Sequence, residues 1–168
     1  LTRFPGADLS PDWESRPAWS PDSRRIAYLQ GGEDRWIYYA PWQLAVVDVA
    51  SGKSRIPAPI DRMFTKPRWS ADGRAIYALV EHSRSTWLSR IDPASGEVEP
   101  LTSGPRLDID FDLDARSIVL LSSDALHPAR LTMLASKGRQ ERPLARHNTW
   151  LDEVALQVPR EITFASRD

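Results

Sequence analysis

Apolar residues fall in short runs along the chain. Ile26-Ala27-Tyr28-Leu29, Ile76-Tyr77-Ala78-Leu79-Val80 and Ile118-Val119-Leu120-Leu121 are rich in β-branched and aromatic types, and turn-forming residues bound them. Continuous apolar runs of this length predict inner strands covered on both faces. The segments Gln43 to Val49, Thr86 to Ile91 and Arg130 to Leu134 read as the next strands. Short outer strands then end near Ile56, Leu101 and Leu144. Leu107, Ile109, Phe111 and Leu113 alternate with Asp108, Asp110, Asp112 and Asp114. That period of two predicts a strand with one apolar face. A calcium loop of the EF-hand type would need a central Gly and a distal Glu, which are missing here.

The runs belong to an internal repeat. Residues 16–29 read Arg-Pro-Ala-Trp-Ser-Pro-Asp-Ser-Arg-Arg-Ile-Ala-Tyr-Leu. Residues 66–79 read Lys-Pro-Arg-Trp-Ser-Ala-Asp-Gly-Arg-Ala-Ile-Tyr-Ala-Leu, offset by 50. A degraded third copy at 111–121 sets Phe111 on the position of Trp19 and Trp69, offset by a further 42. A second landmark repeats downstream: Asp48-Val49-Ala50-Ser51-Gly52, Asp92-Pro93-Ala94-Ser95-Gly96 and the weaker Leu134-Ala135-Ser136-Lys137-Gly138. A period near 42 with four short strands per unit predicts an all-β fold, a partial β-propeller of about three four-stranded antiparallel blades. The blades are expected at about 14–57, 64–102 and 107–146, within a propeller region of 1–158 that has partial strands at its ends. Closed propellers need about 4–8 blades, so the chain reads as an arc. Its start at Leu1-Thr2 aligns with Leu101-Thr102, which reads as an internal or trimmed start.

The turn chemistry follows from residue type. Ser20-Pro21-Asp22-Ser23 and Ser70-Ala71-Asp72-Gly73 suit type I turns in which Asp bonds its own backbone. Gly73 fits the left-handed position that follows. Ser23 and Ala115 replace that Gly, so strain or another turn type is expected, with Asp114 as the turn acid of the third copy. Trp19, Trp69 and Phe111 are expected to be buried packing residues between blades.

Composition narrows the function. The chain has 168 residues, 14 Pro, 7 Trp and no Cys, with a formal net charge of −1. Pro at that density breaks long helices. Thiolate chemistry and disulfides are excluded, and the neutral balance argues against nucleic-acid partners. No apolar run approaches the ~20 residues of a membrane span, and Leu1 to Gly6 shows no signal-peptide pattern. His82, His127 and His147 sit at non-equivalent repeat positions and form no metal-ligand pair, so neither a metal nor a cofactor is expected.

The unit at residues 17–28 resembles the propeller repeats of TolB and of the prolyl oligopeptidase family of serine peptidases. The C-terminal Pro159-Arg160-Glu161-Ile162-Thr163-Phe164-Ala165-Ser166-Arg167-Asp168 is similar to the segment that, in the acylaminoacyl- and dipeptidyl-peptidase branches, leaves the propeller for an α/β-hydrolase domain. The resemblance implies that residues 159–168 are an exit segment toward a domain this chain does not contain. It also implies that the catalytic Ser, Asp and His lie in that domain. No Gly-x-Ser-x-Gly nucleophile elbow occurs here, so no catalytic residue is assigned to this chain. Glu153 is isolated and matches no substrate-amine-binding Glu pair. The implied function is a non-catalytic propeller that gates and shapes peptide access, with the hydrolase domain and the peptide as partners. The alternative is a TolB-like scaffold for protein–protein interaction; a sugar lyase is disfavoured by the lack of a His cluster.

Two further expectations concern surfaces. The connection after Leu29 is about eight residues longer than its counterpart in the third blade, and it carries Trp36, Tyr38, Tyr39 and Trp42. These read equally as an interaction loop or as packing on their own blade. An open arc leaves two blade faces without neighbours, which predicts self-association, most simply a homodimer.

Overall fold

The computed structural model describes residues 2–8, 15–32, 34–36, 39–135 and 140–167. Strands β1 (Ala18–Trp19), β2 (Arg25–Gln30), β3 (Gln43–Asp48) and β4 (Ser54–Arg55) form one antiparallel sheet in that order. Strands β5 (Phe64–Trp69), β6 (Ile76–His82), β7 (Ser85–Ile91) and β8 (Val98–Pro100) repeat it, and so do β9 (Arg106–Leu113), β10 (Ser117–Asp124), β11 (Arg130–Ala135) and β12 (Glu141–Pro143). A single parallel pairing, Thr86 with Leu107, links the second and third units. The architecture is a partial β-propeller of three blades.

The core lies between blades. Leu29, Trp42, Leu44 and Val46 of the first blade meet Phe64, Trp69, Ile76 and Val80 of the second. On its other side the second blade offers Tyr77, Leu79 and Leu88 to Phe111, Ile118, Leu120 and Leu134 of the third. Strand β6 thus still alternates, Ile76, Ala78 and Val80 one way, Tyr77 and Leu79 the other. Both directions lead to apolar neighbours, so the run carries no polar residue.

The repeated turns agree atom for atom. Ser20 Oγ donates to Asp22 Oδ1 at 2.6 Å and accepts from the Arg25 amide at 2.9 Å. Ser70 Oγ donates to Asp72 Oδ1 at 2.7 Å and accepts from the Ala75 amide at 2.9 Å. Gly73 sits at φ 67°, and Ser23 is held in the same left-handed region at φ 57°, a strained place for a residue with a Cβ. The third copy uses a different turn: Asp114 Oδ1 accepts the Arg116 and Ser117 amides, at 2.7 and 2.8 Å.

Two expectations are corrected. Trp19 is 57% exposed, whereas Trp69 is 7% and Phe111 5% exposed. Trp69 and Phe111 pack on the blade before them, and the described residues place no blade before Trp19. Strand β9 does not keep one apolar face either. Leu107 and Ile109 point outward, and Asp108 is buried. Leu121 pairs with Asp110 and Ser122 with Asp108, so Ile109 is an extra residue. This bulge reverses the alternation and returns Phe111 to the core.

Candidate interaction face

Strand order sorts the connections onto two ends of the arc. The Ser-Asp turns between first and second strands lie at one end, together with the Gly52 and Gly96 turns between third and fourth strands. The opposite end carries the connections between second and third strands, 31–42, 83–84 and 125–129. It also carries the crossovers 56–63 and 101–105 and the chain leaving β12. The loops of expected function and the C-terminal segment therefore share one end.

The long first-blade connection divides between the two readings of it. Trp42 is buried in the first interblade cluster, and its ring covers Gly31, where a Cβ would lie 2.9 Å from the indole. It is a packing residue, and its place in an interaction surface is corrected. Trp36 is half exposed beneath the Arg35 guanidinium, 5.2 Å from the ring centre. Tyr39 is 84% exposed. Tyr38 lies outside the described residues.

The equivalent loop of the second blade is a tight turn with Arg84 at φ 63°, flanked by His82 stacked on Trp87 at 4.0 Å between ring centres. Burial, with Arg62 nearby, lowers the His82 pKa. Arg84 pairs with Glu161 at 2.7 Å, so the C-terminal segment crosses to the end of the second blade. On the way, Val158 and Pro159 close a cavity of about 410 Å³ against Ser103, Arg106, His127 and Arg130. Asp124 organises that loop by accepting His127 Nδ1 at 2.8 Å and Arg130 at 3.1 Å. Burial alone would raise the Asp124 pKa. The Leu126 amide, the His127 hydrogen bond and the charges of His127 and Arg130 hold it below its ordinary value instead.

Behind this end, Asp108 ties the second blade to the third. Its carboxylate accepts the Leu88 amide at 2.8 Å, the Thr102 hydroxyl and Arg106 Nε at 2.7 Å, while Arg106 also engages Glu141. Burial outweighs these partners and raises the Asp108 pKa. The sequence pattern assigned Asp108 to the solvent side; its spacing from Arg106 and Thr102 was the available signal.

Among the described residues, no group of three or more His, Asp or Glu side chains could hold a metal ion, and no helix is long and apolar enough to cross a membrane. The arrangement offers side chains for binding: exposed aromatics, an apolar-walled cavity and a pinned C-terminal segment.

No protein-family model matches the chain. Dipeptidyl-peptidase 5 of Arthroderma otae is 30% identical over 160 residues, covering 88% of this chain and 21% of that protein. The chain thus spans about a fifth of the length of the curated relatives it matches. Among solved structures, Pyrococcus horikoshii acylaminoacyl peptidase superposes with a TM-score of 0.69 at 23% identity, covering 88% of this chain and 22% of that one. Putative TolB from Agrobacterium tumefaciens gives 0.64 at 21% identity, covering 79% and 50%. In sequence the chain is similar to a stretch of dipeptidyl-peptidase 5, and in fold it is a partial β-propeller like those in the acylaminoacyl peptidase and TolB structures.

Proposed function

We propose that this chain is the non-catalytic propeller portion of a serine-type peptidase, and that its loop-bearing end shapes peptide entry to a hydrolase domain outside the chain. The observation that carries the reading is the path of residues 154–167. They leave the third blade at the end that bears Trp36 and Tyr39 and cross it to Arg84. Ile162 and Phe164 are exposed along this path, as apolar residues are that meet a partner beyond the segment. The sequence relatives support the peptidase side of the reading; the TolB likeness rests on fold.

In this reading the propeller contributes to binding and to exclusion. The chain alone supplies neither a nucleophile elbow nor a triad, so it leaves chromogenic peptidyl esters uncleaved. The test uses a longer chain that contains this segment. Replacing Trp36 and Tyr39 together by Ala should raise KM for substrates of several residues while leaving kcat on a dipeptidyl substrate unchanged. Identical kinetics on both substrates would support a scaffold of the TolB kind instead.

A further inference from the structure

We propose that the cavity closed by Val158 and Pro159 against the third blade is a peptide subsite for an uncharged apolar residue, aromatic or large aliphatic, with the Ser122 hydroxyl donating to a carbonyl of that residue's backbone. The cavity is walled by this chain itself. Its lining comes from the 101–105 crossover, the end of β10, the 125–129 connection and the C-terminal segment. At about 410 Å³ it lies toward the lower end of the roughly 300–1,000 Å³ of small-ligand sites. That is room for one large side chain and its adjoining peptide groups.

Ser122 is the side chain that points to a ligand. It is 3% exposed and lines the cavity. Its hydroxyl bonds none of the other described residues, and what surface the oxygen keeps opens on the cavity. A buried hydroxyl without a partner is rare, because its desolvation is left uncompensated. A carbonyl brought in by a ligand supplies the compensation. The position follows from strand register: Ser122 stands opposite Asp108, where the bulge at Ile109 turns β9, and both residues are buried.

The rest of the lining selects against charge. Arg106 is engaged by Asp108 and Glu141, and Asp124 takes both His127 and Arg130. Each of these groups already has its partner, so a charged ligand would have to compete with a formed pair. Pro105, Leu126, Val158 and Pro159 supply apolar wall for a side chain. The wall is set before a ligand arrives. Asp124 Oδ1 accepts the Leu126 and His127 amides at 2.9 Å each, and the Arg84–Glu161 pair pins the segment just past Pro159. Walls ordered in advance spare a ligand the cost of ordering them. That the ligand is a peptide rests on the entry reading above; its uncharged, apolar chemistry follows from the lining alone.

Fluorine NMR of N-acetyl-para-fluorophenylalanine methylamide, titrated with the longer chain that contains this segment, tests the proposal. The uncharged probe should bind roughly tenfold or more tightly than the matching free acid and the matching free amine. Ser122→Ala should weaken it roughly three- to tenfold, the worth of one hydrogen bond. Val158→Asp sets a charge on the apolar wall and should weaken it roughly tenfold or more. Ser122 gives up no hydrogen bond and Val158 is exposed, so both variants should keep the wild-type melting temperature. A wild type that does not bind the probe overturns the proposal, as when the remainder of the longer chain fills the cavity. Binding that both variants leave unchanged overturns it too, since the probe then sits elsewhere, and so does equal or tighter binding of a charged probe. Peptide cleavage by the wild type is followed in parallel and reads the entry proposal separately. A bound probe without cleavage removes the peptidase reading and keeps the cavity's ligand; cleavage without a bound probe removes the cavity and keeps the entry reading.

Discussion

The joint between the first and second blades and the joint between the second and third fill the same place in the repeat with different chemistry. In the first, Trp69 brings a large ring and an N–H that reaches the Ala18 carbonyl, while Arg25 covers the ring and bonds the Gly73 carbonyl at 3.2 Å. In the second, Phe111 brings a ring without a donor. The polar link moves to a buried carboxylate, Asp108, which gathers the Leu88 amide, Thr102 and Arg106. A repeat therefore conserves the geometry of a joint more strictly than its atoms. One joint is held by an aromatic ring and backbone carbonyls; the other contains a buried carboxyl.

Removing the aromatic core of the first joint should produce the largest effect. Trp69→Ala is expected to cost about 3–5 kcal/mol, the range for large buried aromatics, read from denaturant midpoints at constant slope. Breaking the second joint should cost less. Asp108→Ala leaves the Thr102 hydroxyl without its acceptor and removes one of two partners from the Leu88 amide and from Arg106, a loss of about 1–3 kcal/mol. If Asp108→Ala proved the more damaging of the two, the ranking of the joints would be reversed.

The same pair of joints sharpens under acid. Asp22, Asp48, Asp72, Asp92, Asp114 and Asp124 all lie below the ordinary carboxylate value. Each stabilises the fold above that value, and its share is lost as pH falls through the lowered folded pKa. Asp108 has the opposite sign. Its raised pKa gives stability that is full below the ordinary value, about 4, and is lost as pH rises through the folded value. Melting curves across acid to neutral pH should show the wild type's advantage over Asp108→Asn shrinking as pH rises; an advantage that grows would contradict the burial-dominated carboxyl. The smallest effect is local. Ser23→Gly should relieve the left-handed strain at the first turn and raise stability by about 0.5–1 kcal/mol, the Cβ penalty less the added chain entropy.

Most of the fold was legible because it is written in local chemistry. Ser20 with Asp22 and Ser70 with Asp72 close their turns within six residues, so the motif and the hydrogen bonds coincide. The apolar runs became strands for the same reason. The misreadings concern partners far away in sequence. Trp19 and Trp69 stand in nearly identical motifs, yet among the described residues only Trp69 has a blade packed against it, and no local pattern encodes a neighbour. Asp108 sits in an alternation that assigns it to solvent. The bulge at Ile109 reverses the assignment, and the bulge is set by pairing with β10. Of the long connection, Trp42 joined the core because it ends the loop beside β3, while Trp36 and Tyr39 remained at its surface.

The central claim is that one repeat position is filled alike in successive blades but buried only where a preceding blade exists. Hydrogen exchange of the assigned indole N–H groups, recorded by NMR, tests it directly. The Trp69 indole, bonded to the Ala18 carbonyl, should exchange only through opening of the first joint, whereas the Trp19 indole should exchange at nearly the rate of a free side chain. Equal protection of the two indoles, or a Trp69 indole as fast as Trp19, would contradict the account.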